Sequence, residues 1–505
     1  MPDELFSLDN SYARELPGCY VAWPPAPVKA PRLLYVNREL AEELRLDLAA
    51  HDEATLAAIF SGNALPEGAV PIAQAYAGHQ FGNFSPQLGD GRALLIGEVI
   101  DRHGRRRDLA FKGSGRTPFS RDGDGKAAVG PMLREVLVGE AMHALGIPTT
   151  RALAVIATGE AVYREQTLPG AQLTRVAASH IRVGTFEYFA ARDERERVRQ
   201  LADYGIARHD PELGGAADRY AHWLRAVAER QAALLAQWMN AGFIHGVMNT
   251  DNMSIAGETI DFGPCAFMEA YDPGTVFSSI DRHGRYAYGR QPAIAQWNLA
   301  RFAESLLPLL ADDEDQAVEK ATDILAGFAT SYRRHWLGGV RAKLGLRREI
   351  EDGDQQDVEL AADWLALLQA GGVDFTLAWR RLADAAEGRN GPLRALFSES
   401  SALEAWLARW QERCAAEDGM PPGDDATPPA LRRTQAMRGG NPWIIARNHR
   451  VEEALDAASA EGDLGPFEDL LQAIKRPFDE DPTLARYAEP APSTYTDGYR
   501  TFCGT

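Results

Sequence analysis

The chain has 505 residues, 45% of them hydrophobic and 25% charged, with a formal net charge of −19. These values fit a globular protein of roughly two to four domains and exclude collagen-like, low-complexity and disordered classes. So acidic a chain is disfavoured as a coat for nucleic acid. The opening Met-Pro-Asp-Glu-Leu-Phe lacks the basic and apolar regions of a signal peptide. No apolar run is long enough to span a bilayer. Cys19, Cys265, Cys414 and Cys503 are far apart, without metal-ligand spacing. The expectation is a cytoplasmic protein of bacterial type, with no membrane and no nucleic acid as partner.

In chain order, residues 15 to 85 mix Pro-rich turns with one helical pattern, Arg38 to Leu46. They read as an extension packed on the next unit. Ala93 to Ile100 and Asp108 to Lys112 are predicted strands around the turn Asp101-Arg102-His103-Gly104. A helix is predicted near Pro131 to Leu145, stopped by Gly146-Ile147-Pro148. Ala152 to Thr158 and Ala161 to Arg164 are predicted to form a hairpin around Gly159. Residues 185 to 245 and 285 to 415 read as mostly helical, with Tyr220 to Ala241 ending at Gly242. Pro421-Pro422-Gly423-Asp424-Asp425 marks a linker, and one further helix is expected at Val451 to Ala460. The expected partition is an N-terminal extension (1–80), a sheet-rich lobe (81–180), a helical lobe (181–415), a linker (416–430) and a C-terminal extension (431–505).

The stretch His245 to Gly263 carries the chemistry. Asn252 and Asp261 are oxygen ligands that a two-stranded ribbon through Ala256-Gly257 would bring to one end, as a protein kinase holds the magnesium of ATP. The usual catalytic base would stand five residues before the Asn, but that position is Val247. The carboxylate in reach is Asp251. Upstream, Gly89-Asp90-Gly91-Arg92 is a turn suited to phosphate, Lys112 ends an apolar strand, and Glu135 lies on the following helix with Glu140 as its competitor. Each member alone has an ordinary structural explanation; their order along the chain is far more specific. The fold class expected is α+β, a protein kinase-like two-lobed fold with N- and C-terminal extensions. His245 reads as a loop brace. Arg116, Arg121, Arg175 and Arg182 form a basic density within an acidic whole, which suggests polyphosphate as readily as structural ion pairs.

Five blocks carry a resemblance: Gly78-His79-Gln80-Phe81-Gly82, Gln87 to Arg92, Phe111 to Gly115, His245 to Met253, and Asp261-Phe262-Gly263-Pro264-Cys265. With them the chain resembles the selenoprotein O family, kinase-like proteins that act as protein adenylyltransferases. Cys503-Gly504-Thr505 matches the place where animal members carry selenocysteine. The resemblance implies ATP bound in a flipped orientation and AMP transferred to Ser, Thr or Tyr hydroxyls of proteins. It implies nucleotide contacts from Gly89, Gly91, Arg92, Lys112, Asp124, Gly125, Arg175, Arg182 and Asp261, and Mg2+ or Mn2+ on Asn252 and Asp261. Asp251 would be the proton acceptor, and Glu135 the ion-pair partner of Lys112. By position, Cys265 and Cys503 form a possible redox pair. The competing readings are a catalytically inactive, nucleotide-binding pseudokinase scaffold and a small-molecule kinase; the latter lacks its Asp at Val247.

Overall fold

The computed structural model describes residues 5–347, 353–419, 427–496 and 498–502. An antiparallel sheet forms one lobe. Its strands run Tyr20–Ala22, Ile72–Gln74, Ala93–Ile100, Arg106–Lys112, Thr167–Ala177, Arg151–Tyr163 and Arg32–Val36, with the short Ala127–Ala128 also pairing Thr167–Ala177. The strand at Ala93 to Ile100 begins and ends as its β-branched and apolar run predicts. Its turn is closed by Asp101, whose carboxylate accepts from the N–H groups of His103 and Arg105. Three strands come from residues before 80, so this stretch is laid into the sheet.

The hairpin expected around Gly159 is corrected. Arg151–Tyr163 is one strand that passes through Gly159, and the reversal lies at Arg164 to Gln166. Its partner Thr167–Ala177 went unread because Pro169-Gly170 looks like a breaker. The register shifts between Pro169 and Ala171, and a bulge tolerates what a regular ladder would not.

The helix Val129–Ala144 packs on the sheet and buries most of its side chains, including Leu133, Val136 and Leu137. Pro131 is harmless there, because first-turn N–H groups have no intrahelical acceptor. The second lobe is helical. Arg219–Ala241 is its longest described helix and stops at Gly242, which is left-handed at φ 73° and donates its N–H to the Trp238 carbonyl. Trp223, Phe186 and Phe302 fill the core beside it.

The C-terminal segment holds more than the single helix expected. Asn448–Asp456 continues as a π-helical turn, Ala457–Glu461, and Pro429–Gly440 and Gly465–Ile474 are helices too. Pro429 and Pro466 sit in first turns, where proline is favoured, so they mark starts and not linkers. Asn448–Asp456 and Gly465–Ile474 pack back onto Val129–Ala144. Buried Arg447 fixes this segment to the helical lobe through Glu269 at 2.5 Å and Asp374 at 2.6 Å. Of the expected linker, residues 420–426 lie outside the described residues.

Candidate active site

Between the lobes lies a cavity of about 800 Å3. Arg92, Lys112, Glu135, Arg175, Arg182, Asp251, Asn252 and Asp261 all line it. Each arrives from a different device. Lys112 ends its strand, and Arg175 lies near the end of the next one in the sheet. Glu135 projects from the helix Val129–Ala144. Arg182 caps the helix Val183–Ala190, its N–H donating to Thr185 Oγ1 and its carbonyl accepting from the Thr185 N–H, and it bridges to Ser254.

The two-stranded ribbon expected for residues 253–261 is absent. Ser254 bridges to Arg182, Thr259 bridges to Thr149, and only a tight turn at Gly257 joins them. Both neighbours hold the loop separately and still deliver Asn252 and Asp261 to one cavity.

Asp261 is the hub. Its Oδ1 accepts from Lys112 Nζ at 2.8 Å and Arg175 Nη1 at 2.7 Å, and its Oδ2 from Arg182 Nη1 at 3.0 Å. Burial alone would raise its pKa, but Lys112, Arg175 and Arg182 together hold the carboxylate well below its usual range. The residue has φ 64°, a left-handed conformation that costs a non-glycine residue about 1 kcal/mol or more and clusters at functional sites. Lys112 also pairs with Glu135, while Glu140 is taken by Arg151 at 2.7 Å. The helix partner of Lys112 is therefore Glu135. Arg182 also donates to the Asp251 carbonyl at 2.8 Å and lies 4.6 Å above the Tyr76 ring. The Arg92 guanidinium lines the cavity and makes no hydrogen bond among the described residues.

Asp251 is 8% exposed, and burial pushes its carboxyl up to about 6. Its Oδ2 accepts from Gln80 at 3.2 Å, whereas its Oδ1 is buried without a partner. Asn252 donates its amide to the Val247 carbonyl at 2.9 Å, which turns its amide oxygen away from that contact. Oxygen donors from Asn252 and Asp261 suit a hard divalent cation. His245 is buried, bonds the Ile260 carbonyl at 2.9 Å and stacks on Trp238, as a brace should.

Not every expected residue reaches the wall. Gly91 lines the cavity, but Gly89 lies behind it, left-handed at φ 70°, where a Cβ would sit 2.3 Å from the Phe119 ring. Asp124 and Gly125 are also outside the lining; Asp124 is ion-paired with Arg164 at 2.9 Å. Arg116 and Arg121 are likewise outside it. Sequence reasoning assigned no role to Gln80, Asp90, Arg134, Tyr499 or Arg500, all of which line the cavity. Two of them lie in quoted blocks, Gln80 in Gly78 to Gly82 and Asp90 in Gln87 to Arg92. Arg134 pairs with Glu452, whose carboxylate accepts from Tyr499 at 2.6 Å. Thr501 donates to the Pro264 carbonyl at 2.7 Å, so the chain end runs beside the loop that follows Asp261. Cys265 there is buried, its thiol pushed by burial up to about 12. Cys503, the other half of the expected pair, lies outside the described residues.

Among the described residues no helix is long and apolar enough to cross a membrane. A family model described as "Protein adenylyltransferase SelO" matches residues 7–475. The chain is 63% identical to a "Protein nucleotidyltransferase YdiU" of Chromobacterium violaceum, over 96% of this chain and 99% of that one. It is 62% identical to a protein of the same name from Cereibacter sphaeroides, over 99% and 100%, and 56% identical to one from Rhizobium etli, over 100% and 98%. The pairing of Lys112, Glu135 and Asp261 in a two-lobed cleft, together with these matches along nearly the whole chain, places the protein in the SelO family of protein adenylyltransferases.

Proposed function

We propose that this chain transfers AMP from ATP to Ser, Thr or Tyr hydroxyls of proteins, with ATP flipped relative to a kinase. The observation that carries the reading is the convergence of Lys112, Arg175 and Arg182 on Asp261 beside Asp251, with Val247 where a kinase base would stand.

In adenylyl transfer the hydroxyl oxygen attacks the α-phosphorus, the bond to the β-phosphate oxygen breaks, and pyrophosphate leaves. Negative charge grows on the leaving group. Lys112, Arg175, Arg182 and the unpaired Arg92 form a clamp for that charge, already oriented by Asp261 and Glu135 and shielded from water. Gly91 lets backbone approach phosphate; Gly89 packs on Phe119 behind that turn, while Asp124 and Gly125 belong to a neighbouring loop held by Arg164 and Gly115. Asp251 accepts the proton of the attacking hydroxyl, and its pKa of about 6 leaves it ionised at neutral pH. Asn252 and Asp261 would hold Mg2+ or Mn2+, which when bound neutralises phosphate charge. The buried Cys265 thiol holds little thiolate, so a Cys265–Cys503 redox pair requires the loop after Asp261 to open.

The test uses ATP labelled at the α- or the γ-phosphate, a protein acceptor, Mg2+ or Mn2+, and Asp261→Ala as control. Label from the α-position alone, lost in the control, is the expected result. Label from the γ-position would make the protein a kinase, and bound nucleotide without transfer would make it a scaffold.

A further inference from the structure

A small hairpin, Gly78–Gln80 paired with Asn83–Ser85, leans on the loop before Asn252. Three consecutive residues of it grip three consecutive residues of that loop. The His79 N–H donates to Thr250 Oγ1 at 2.7 Å, Gln80 Nε2 to Asp251 Oδ2 at 3.2 Å, and the Phe81 N–H to Asn249 Oδ1 at 3.2 Å. The grip is braced from below. Glu187 accepts from Thr250 and meets His79 Nδ1 at 2.5 Å. At the hairpin turn Phe81 is left-handed at φ 52°, a strained state for a phenylalanine. It is held there by Asn249, by the Tyr286 hydroxyl at 3.1 Å and by ring contact with Tyr286. Gly78 completes the fit: a Cβ there would stand 2.6 Å from Asp251 Oδ1.

We propose that Gln80 is a positioning residue for the proton acceptor Asp251, setting the angle at which its carboxylate meets the hydroxyl of the protein substrate. This inference rests on the role given to Asp251 above. Gln80 is the side chain that hydrogen-bonds the Asp251 carboxylate among the described residues. It lines the same cavity as Asp251. With one oxygen tied to Gln80 and the other packed against Gly78, the carboxylate is held in one orientation. A misplacement of about 1 Å at a reacting group costs on the order of 10²-fold in rate. The amide donor thus acts on turnover, because Gln80 bonds the Asp251 carboxylate whereas the clamp residues Lys112, Arg175 and Arg182 bond the Asp261 carboxylate.

The experiment compares the full-length protein with Gln80→Met, which keeps length and packing but removes the donor, and Gln80→Glu, which sets a second carboxylate against Asp251. Transfer of α-phosphate label to a protein acceptor, the KM for ATP, directly measured ATP affinity and melting temperature are read for each. The expected result is a kcat lower by about tenfold to a hundredfold in Gln80→Met with unchanged KM, affinity and melting temperature, and a larger loss of kcat in Gln80→Glu. A kcat equal to that of the unaltered protein overturns the inference and leaves the adenylyl-transfer reading standing. So does a loss that tracks a raised KM or a lowered melting temperature, since it would assign Gln80 to the nucleotide or to the fold. Absence of transfer by the unaltered protein overturns the functional reading, and this inference with it.

Discussion

Asp261 balances three buried or nearly buried cations with one carboxylate, and this sets what its removal does. Asp261→Ala deprives Lys112, Arg175 and Arg182 of their shared partner, and breaking a buried ion pair by removing one member costs about 3–5 kcal/mol. The variant is expected to melt several degrees lower as well as to lose transfer; thermal denaturation beside the label assay checks both. Arg182→Ala is gentler on the fold, because Asp261 keeps Lys112 and Arg175. It should cost on the order of 10²- to 10³-fold in rate through the clamp, read as initial rates at saturating ATP. An unchanged rate would remove Arg182 from the clamp. The sequence made these residues legible because kinase-like order along the chain is a readable pattern: a strand Lys, a helix Glu, then Asn and Asp nine positions apart. Gln80 gave no such signal for its role, since its partner Asp251 is 171 positions away.

At the scale of elements, the strand Arg106–Lys112 and the turn before Arg182 are joined by a buried polar knot. His180 Nδ1 meets Asp108 at 3.0 Å, and Arg208 also binds Asp108 at 2.5 Å. Burial drives the His180 imidazole down to about 4. An unfolded histidine titrates near 6.5, so between these values the unfolded chain binds the proton and the folded one does not. Stability is therefore whole above about pH 6.5 and falls as pH drops towards 4, by at most about 3 kcal/mol from this residue. Urea melts across that range should show the loss, and His180→Asn should reduce the slope, with His209 and His449, also lowered by burial, supplying the rest; a slope unchanged in the variant would assign it elsewhere. Element reading from sequence worked where apolar period and punctuation agreed, as in Arg219–Ala241 with Gly242. It failed where a breaker was tolerated by tertiary pairing, as at Pro169, and where proline opened a helix, as at Pro466. The 253–261 ribbon failed for another reason: each side found a partner outside itself.

On the scale of the whole molecule, the C-terminal segment is part of the site. Asn448–Asp456 and Gly465–Ile474 back the helix that carries Glu135, and Glu452 and Tyr499 meet Arg134 in the next position. Ending the chain after Gly440 should expose that helix's outer face and yield protein that aggregates and binds no ATP; nucleotide affinity of the truncated protein is the check. None of this was legible from local pattern, because Arg134 and Tyr499 are 365 residues apart. The same docking has a bearing on synthesis. A ribosome adds about 5–20 residues per second and releases the N-terminal part first. The sheet, the clamp and Asp261 emerge long before the helices that steady Glu135. The nascent chain therefore carries Lys112, Arg175, Arg182 and Asp261 before Glu452 and Arg500 of the same cleft, and the brace beside them, exist, so turnover has to wait for the C-terminal segment.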